Sequence, residues 1–512
     1  MSTVDTEVEA SNSELEQLLL PNHPSFTTED PLGFSDIDEY PVPAYSILES
    51  LLFRKFESIS QIIPPKALTS EFVSVVSDLS YTLHNRPDPN LNILKYCISD
   101  KPDAIAYIQS IVHSASKLPI LFPSGSLHPL SPGETRTYTK AHLLSILSHQ
   151  SLLTLPSPKW NDWGGVNLTP WYSDADGITE PKRTYTNTTL DYFKQSTAPS
   201  NQSQEFLFHL FHNQIPPSLT AKTALIPLKI LELPIEEDFP KTTLPTDNVN
   251  ITYIISSHKL IGHGPSATQE ERILASIPEL LPVSTFTPPL KENTALAVTA
   301  SAEGGFIPTA VFTGHGRTAR KDNSYNREDY EGENKERRIR ASTFLFLNAT
   351  ELDTVEVPEG TGGGSGMLPD FLPGVLQKDL LKAYTGFFGV FDSQARKKGE
   401  KRNQRIVATP WGSGAFGGDV RVKLLILWAA ASFAAASLEG GQKAELVFLV
   451  KQFVVDAKEV WWKEMLNKVQ DSGLGADDVW RALLEMEGNG TANINVLEGI
   501  VDALGLERPH VM

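Results

Sequence analysis

The sequence predicts a layered α/β domain preceded by a helical region, and three observations carry that prediction. From Ala44 to about Leu153 apolar residues recur at helical spacing, as in Tyr45-Ser-Ile-Leu-Glu-Ser-Leu-Leu-Phe and Ala141-His-Leu-Leu-Ser-Ile-Leu. After Leu225 the period shortens. Runs rich in β-formers appear at Ile226–Leu233, Val249–Ile255, Ala295–Thr299, Ala310–Thr313, Ser342–Leu347, Arg405–Thr409 and Glu445–Val450, several of them separated by helical stretches. The chain of 512 residues also exceeds what one hydrophobic core usually serves.

The elements follow in order. Residues 1–43 hold ten acidic side chains and no Lys or Arg, which predicts an unstructured acidic tail because so little can be buried. Residues 44–224 are expected to form an all-helical accessory domain, with irregular structure from Leu155 to Ser203 and a further helix over Glu205–Asn213. On that helix His209 and His212 are three residues apart. Without a third ligand in view they read as packing or surface residues, so no metal is expected. Residues 225–487 are expected to be the α/β domain with its C-terminal helices, and 488–512 a tail helix. The glycine run Gly360–Gly366 lacks the Lys-Ser/Thr ending of a phosphate loop and reads as a linker.

Composition removes several function classes. The net charge of -18 argues against a general nucleic-acid binder. Cys97 is the only cysteine, so the chain has no intramolecular disulfide and no thiolate zinc site, and it reads as a small buried hydrophobe. No signal peptide is visible, so the sequons at Asn167 and Asn187 read as chance. Val422–Ser437 is the most apolar run, but it is shorter than the roughly 20 residues of a bilayer span and reads as a buried helix. We expect a protein without membrane contact, intracellular, in nucleus or cytoplasm, and monomeric.

Two segments carry chemistry. In Leu260-Ile-Gly-His-Gly-Pro-Ser-Ala-Thr-Gln-Glu-Glu, a β-run feeds a turn at Gly262 and Gly264, and a helix then opens on Gln269, Glu270 and Glu271. Adjacent carboxylates at a strand-to-helix turn suit acid–base work, and the exposed N–H groups of the helix start favour a phosphate-bearing ligand. A second reading stays open: Thr268 with Glu271 three residues on is a capping box that needs no ligand. The later segment, Arg405-Ile-Val-Ala-Thr-Pro-Trp-Gly-Ser-Gly-Ala-Phe-Gly-Gly-Asp, is a strand, a glycine-rich turn and an apolar helix, the pattern of an anion nest. Gly412, Gly414 and Gly417 also satisfy the dinucleotide fingerprint. A nicotinamide enzyme fits poorly, because the next strand ends at Val450-Lys451 with no acid for a ribose.

Together the two segments resemble the poly(ADP-ribose) glycohydrolase family of the macrodomain fold, through Gly262-His263-Gly264 with Gln269-Glu270-Glu271 and through Gly412-Ser413-Gly414-Ala415-Phe416-Gly417-Gly418-Asp419. Tyr384-Thr-Gly-Phe-Phe, Val311-Phe-Thr-Gly and Gly475-Ala-Asp-Asp-Val-Trp also look like the family, and the likeness runs from about Ala44 to Glu487. The resemblance implies a macrodomain-like mixed sheet between helices, hydrolysis of ribose–ribose O-glycosidic bonds in poly(ADP-ribose) on modified proteins, and no cofactor. It places acid–base work on Glu271, with Glu270 positioning the ribose and Gln269 bonding the substrate. Gly414, Ala415, Phe416, Gly417 and Gly418 would hold the diphosphate and wall the ribose, and Ile235 and Glu236 would meet the adenine. An acidic surface hairpin at Ile235-Glu236-Glu237 stays open beside that.

The chain departs from the family at four places. Ile255 and His258 stand where the family has Asp and Asn, His315 where it has tyrosine, and Pro410 where it has Asn, and the loop before Gln269 is shorter. Loss of the acid makes a reader that binds polymer without cutting it the alternative reading. His263 and His315 read either as loop surface or as replacements for lost polar contacts, groups titrating near neutral pH. Arg396-Lys-Lys-Gly-Glu-Lys-Arg, with Arg317, Arg320 and Lys321, offers a basic path for a polyanion or, equally, a solvated loop or import signal.

Overall fold

The computed structural model of the chain describes residues 17–30, 32–34, 41–56, 64–85, 89–161, 165–196, 202–214, 222–233, 249–264, 268–301, 305–313, 320–321, 342–355, 368–396, 402–438, 441–451, 459–489 and 496–506. Its centre is a mixed eight-stranded sheet. In chain order the strands are β1 (Thr135–Thr139), β2 (Glu205–His212), β3 (Leu228–Leu233), β4 (Val249–Ser257), β5 (Thr294–Ala300), β6 (Thr343–Asn348), β7 (Asn403–Ala408) and β8 (Ala444–Lys451). Their order across the sheet is β1-β2-β5-β6-β4-β7-β8-β3. The five strands β6, β4, β7, β8 and β3 run parallel, while β1, β2 and β5 pair antiparallel. This is the macrodomain-like mixed sheet between helices that the sequence predicts.

The parallel strands read as continuous apolar runs because both faces of the sheet are covered. Alternation still sorts their side chains. Ile251, Tyr253 and Ile255 of β4, with Val407 of β7, join one core, whereas Ile254, Ile406 and Ala408 join the other. The first core is closed by the N-terminal helices α1 (Pro65–His84), α2 (Asn92–Ser99), α3 (Ala104–Ser116), α4 (Lys140–Ser151) and α5 (Thr179–Ser196), with α6 (Gln269–Ser276). Against the other face lie α7 (Val375–Ala395), α8 (Val420–Ala435) and the C-terminal α9 (Glu459–Asp471), α10 (Ala476–Asn489) and α11 (Val496–Ala503). The apolar run of Val422–Ser437 is thus α8, buried along almost its whole length. No helix among the described residues is long and apolar enough to cross a membrane.

The structure departs from expectation at three points. Glu205–Asn213 is the strand β2 and not a helix, because Phe206, Phe208 and Leu210 alternate into the core with period 2. On a strand, His209 and His212 face opposite sides, and His209 packs its ring on Phe211 at 4.2 Å. The N-terminal region is helical, yet not wholly so, since β1 and β2 extend the central sheet. The tail is shorter than 1–43: Leu18 and Leu20 are buried, Leu18–Leu19 pairs with Ser126–Leu127, and Thr27–Thr28 pairs with Val42–Pro43. A few leucines and a valine suffice to dock an acidic segment when a preformed surface offers them burial.

Candidate functional site

Strands β6, β4 and β7 are neighbours and parallel, so their carboxyl ends open on one edge of the sheet, where ligands of open α/β sheets bind. Each end carries one part of the site. Beyond β4 comes the turn 258–264 and then α6, with Gln269, Glu270 and Glu271 in its first turn. Beyond β7 comes the glycine turn 411–419, which leads into α8. The loop 349–355 follows β6 and packs against that turn, Leu352 N–H donating to the Phe416 carbonyl at 2.9 Å.

Ser256, at the end of β4, brings the two motifs together. Its N–H donates to Gln269 Oε1 at 3.1 Å, and its hydroxyl accepts from the Gly412 N–H at 3.2 Å. The helix bearing the acids and the glycine turn are therefore held one residue apart. Ser256 lies outside both motifs; its place in the Ser256-Ser257 pair that closes β4 is the signal the sequence offers.

The two glutamates are both nearly buried and do different things. Glu270 accepts the His258 N–H on Oε2 at 2.9 Å and the Gly262 N–H on Oε1 at 3.1 Å, which staples the turn between them. Burial pushes its pKa up to about 8; the two N–H donors pull against this, and the Glu271 charge adds to it. Glu271 completes the capping box: its Oε2 accepts the Thr268 N–H at 2.6 Å, and the Thr268 side chain accepts the N–H of Glu271. The structural reading of this motif is therefore present in the fold, and it sets the direction in which the Glu271 side chain leaves the helix.

The remaining residues of the first motif are docked on the helical region. Gly264 accepts the Trp171 indole N–H at 3.1 Å. His263 is buried edge-to-face on Trp171, with Nε2 2.9 Å from the Asn167 carbonyl. Burial drops its pKa to about 4, against the pull of that hydrogen bond, so the expectation of a His263 that titrates near neutral pH and reaches a phosphate does not hold. Ile255 is fully buried in the apolar core that also holds Ile273 and Leu274, so no carboxylate stands at that place. His258 pairs its Nε2 with Glu351 at 3.3 Å.

In the glycine turn, Gly412 (φ +67°) and Gly417 (φ +73°) adopt the left-handed region that favours glycine. Gly417 N–H closes on the Gly414 carbonyl and Gly418 N–H on the Gly412 carbonyl. Among the described residues no protein acceptor takes the N–H groups of Gly414, Ala415 or Phe416, three consecutive donors on a largely exposed crest. That is the composition of an anion nest. Asp419 caps α8, accepting from Arg421 N–H at 2.9 Å and Val422 N–H at 3.3 Å. Phe416 is half-buried at the edge of the α8 core. Ile235, Glu236 and His315 lie outside the described residues, as do Gly360–Gly366, Arg317 and most of the 396–402 basic run.

A cavity of about 260 Å³ lies beside this seam, walled by Lys259, Asn348, Thr350, Glu351, Asp379 and Lys382, and by no residue of α6 or of the glycine turn. Among the described residues no group of three or more His, Cys, Asp or Glu is placed to hold a metal ion.

Residues 231–439 match the family described as "Poly (ADP-ribose) glycohydrolase (PARG), Macro domain fold". A solved structure, "The X-ray crystal structure of poly(ADP-ribose) glycohydrolase bound to the inhibitor ADP-HPD from Thermomonospora curvata", matches at 14% identity over 44% of this chain and 73% of that one. Its TM-score is 0.22, a likeness too loose to place any residue.

Proposed function

We propose that the protein belongs to the poly(ADP-ribose) glycohydrolase family, whose description residues 231–439 match, and that it hydrolyses the ribose–ribose O-glycosidic bonds of ADP-ribose polymers on modified proteins. One observation carries this reading: Ser256 ties the acid-bearing α6 to the glycine turn at the carboxyl ends of adjacent parallel strands. A diphosphate on the N–H groups of Gly414, Ala415 and Phe416 would then present its ribose to the acids.

The reaction passes through an oxocarbenium-like transition state, so the leaving oxygen needs a proton and a water must be activated. Glu271 takes this acid–base role. Glu270 has both carboxyl oxygens on main-chain N–H groups, which suits it to hold the 258–262 turn in shape beside the ribose rather than to transfer the proton. With its pKa near 8, Glu270 is mostly protonated at neutral pH. Gln269, its oxygen held by Ser256, has its amide NH2 left to donate to substrate. Gly262 and Gly264 form the turn; for Ile235 and Glu236 the reading is the adenine contact that the resemblance implies, and for His315 a polar contact in place of the family's tyrosine.

A reader that binds polymer without turnover has its own support. Ile255 supplies no carboxylate, and Glu271 is engaged in the cap. Release of ADP-ribose from polymer-bearing protein separates the two, measured with polymer binding on wild type and Glu271→Gln. The glutamine keeps an oxygen for Thr268, so the cap survives. Release by the wild type, lost in the variant while binding persists, supports the glycohydrolase. Binding without release in either leaves the reader, and neither binding nor release sinks both.

A further inference from the structure

The glycine turn rests on a buried ion network that the proposed reaction does not use. Lys423 stands near the start of the otherwise apolar α8 and is fully buried. Its ammonium pairs with Asp379 of α7 and, at 3.1 Å, with Asp370 just before that helix. Each carboxylate spends its second oxygen on a loop of the site. Asp370 Oδ2 accepts the Asp419 N–H at 2.8 Å. Asp379 Oδ1 accepts the Thr350 N–H at 3.2 Å and the Thr350 hydroxyl at 2.8 Å, two residues before the Leu352 that holds the Phe416 carbonyl.

The lysine stem shapes the turn as well. A Cβ at Gly418 would stand 2.5 Å from Lys423 Cε, and one at Gly412 would stand 3.4 Å from it. The ammonium lies 5.6 Å from the centre of the Trp411 ring. Both ends of the turn, Trp411–Gly412 and Gly418–Asp419, and its crest at Phe416 are thus tied to one network. Asp370 sequesters the last N–H of the turn and leaves those of Gly414, Ala415 and Phe416 to an anion.

The Lys423 ammonium sits between the two carboxylates and offsets their charge beneath the turn. Burial pushes the Asp370 carboxyl up, against the Lys423 charge and the Asp419 N–H. Burial works against the Lys423 ammonium, but Asp379 and Asp370 outweigh it and hold the lysine above its ordinary value.

We infer that Lys423, Asp370 and Asp379 are positioning residues that hold the 411–419 turn in the shape that takes a diphosphate, and so set ligand affinity without touching the ligand. The inference rests on reading this turn as the diphosphate site. A preformed nest spares the bound state the ordering of a glycine-rich loop, and losing that preorganisation costs affinity.

The test compares wild type, Asp370→Ala and Asp370→Asn in calorimetric titrations with ADP-ribose and with inorganic pyrophosphate, and follows the weaker ligand adenosine by ligand-observed NMR. Asp370→Ala is expected to weaken ADP-ribose and pyrophosphate about tenfold or more, with adenosine within about twofold. Asp370→Asn keeps an oxygen for the Asp419 N–H and is expected to recover most of the affinity. If the alanine variant does not fold, Asp379→Asn, which keeps an oxygen for Thr350 but weakens the lysine pair, is expected to show the same selective loss. Unchanged ADP-ribose affinity in folded Asp370→Ala or Asp379→Asn, or an equal loss for adenosine in either, overturns the inference. A wild type that binds neither ADP-ribose nor pyrophosphate refutes the reading of the turn itself, before any variant is made.

Discussion

Replacing Glu270 by glutamine tests the electrostatics of the acid pair. Its carboxyl is raised from 4.5 to about 8, chiefly by burial. A folded-state pKa above the unfolded one means that the native protein holds a proton which the unfolded chain has released. The associated stability is present in full below about pH 4.5 and is lost as pH rises towards 8. Each pKa unit corresponds to about 1.4 kcal/mol, so the change across the window is on the order of 4 kcal/mol. Glutamine is neutral throughout and escapes this loss. It also has a single oxygen where the carboxyl accepts from both His258 and Gly262, a pH-independent cost of about 1–2 kcal/mol. The variant is therefore expected to be the less stable protein at pH 5, to close the gap near pH 6, and to be the more stable one by pH 8. Urea denaturation of both proteins at four pH values from 5 to 8 measures this, and taking the difference cancels every other titrating group. A difference that stays constant over that range would refute a raised Glu270 and, with it, the idea that this residue carries a proton beside Glu271.

Three further predictions follow from neighbouring geometry. Gly418→Ala places a methyl 2.5 Å from Lys423 Cε and 2.8 Å from the Gly412 carbonyl; denaturation should show a loss of about 1–3 kcal/mol, and an unchanged midpoint would contradict the tight seating of the turn. Ser256→Ala removes the acceptor of the Gly412 N–H and is expected to cost about 1 kcal/mol and to weaken ADP-ribose binding, whereas unaltered binding would deny Ser256 its bridging role. His149 and His263 are both lowered to about 4 by burial, each against one backbone hydrogen bond. Their contribution is present above pH 6.5 and lost as pH falls towards 4, at up to about 1.4 kcal/mol per pH unit each. Their ring resonances should stay still in NMR titrations from pH 7.5 to 5; a midpoint near 6.5 for either would place it in contact with solvent.

Much of the architecture was legible in the sequence because its signals are local. The change of apolar period after Leu225 marked the parallel strands, glycines before a carboxylate pair marked the first turn, and glycines between a strand and an apolar helix marked the second. Where a local signal had two meanings, tertiary context decided. Glu205–Asn213 holds apolar residues compatible with either period, and only the free edge of β5 makes it a strand. Leu18 and Leu20 look too few to order an acidic tail until a surface is there to receive them.

The site divides in the same way. Sequence alone picked out the candidate residues, since a carboxylate pair, a capping threonine and a glycine turn are written in short spacings. Tertiary structure decided what each of them does. It sent Glu270 to staple its own turn, buried His263 beyond the reach of a ligand, and put Lys423 under a loop between two aspartates far from it in sequence. The physical reason is that burial and charge pairing depend on which chains meet in space: the cost of removing an ionisable group from water, and the partner that offsets it, come from elements that sequence spacing does not connect.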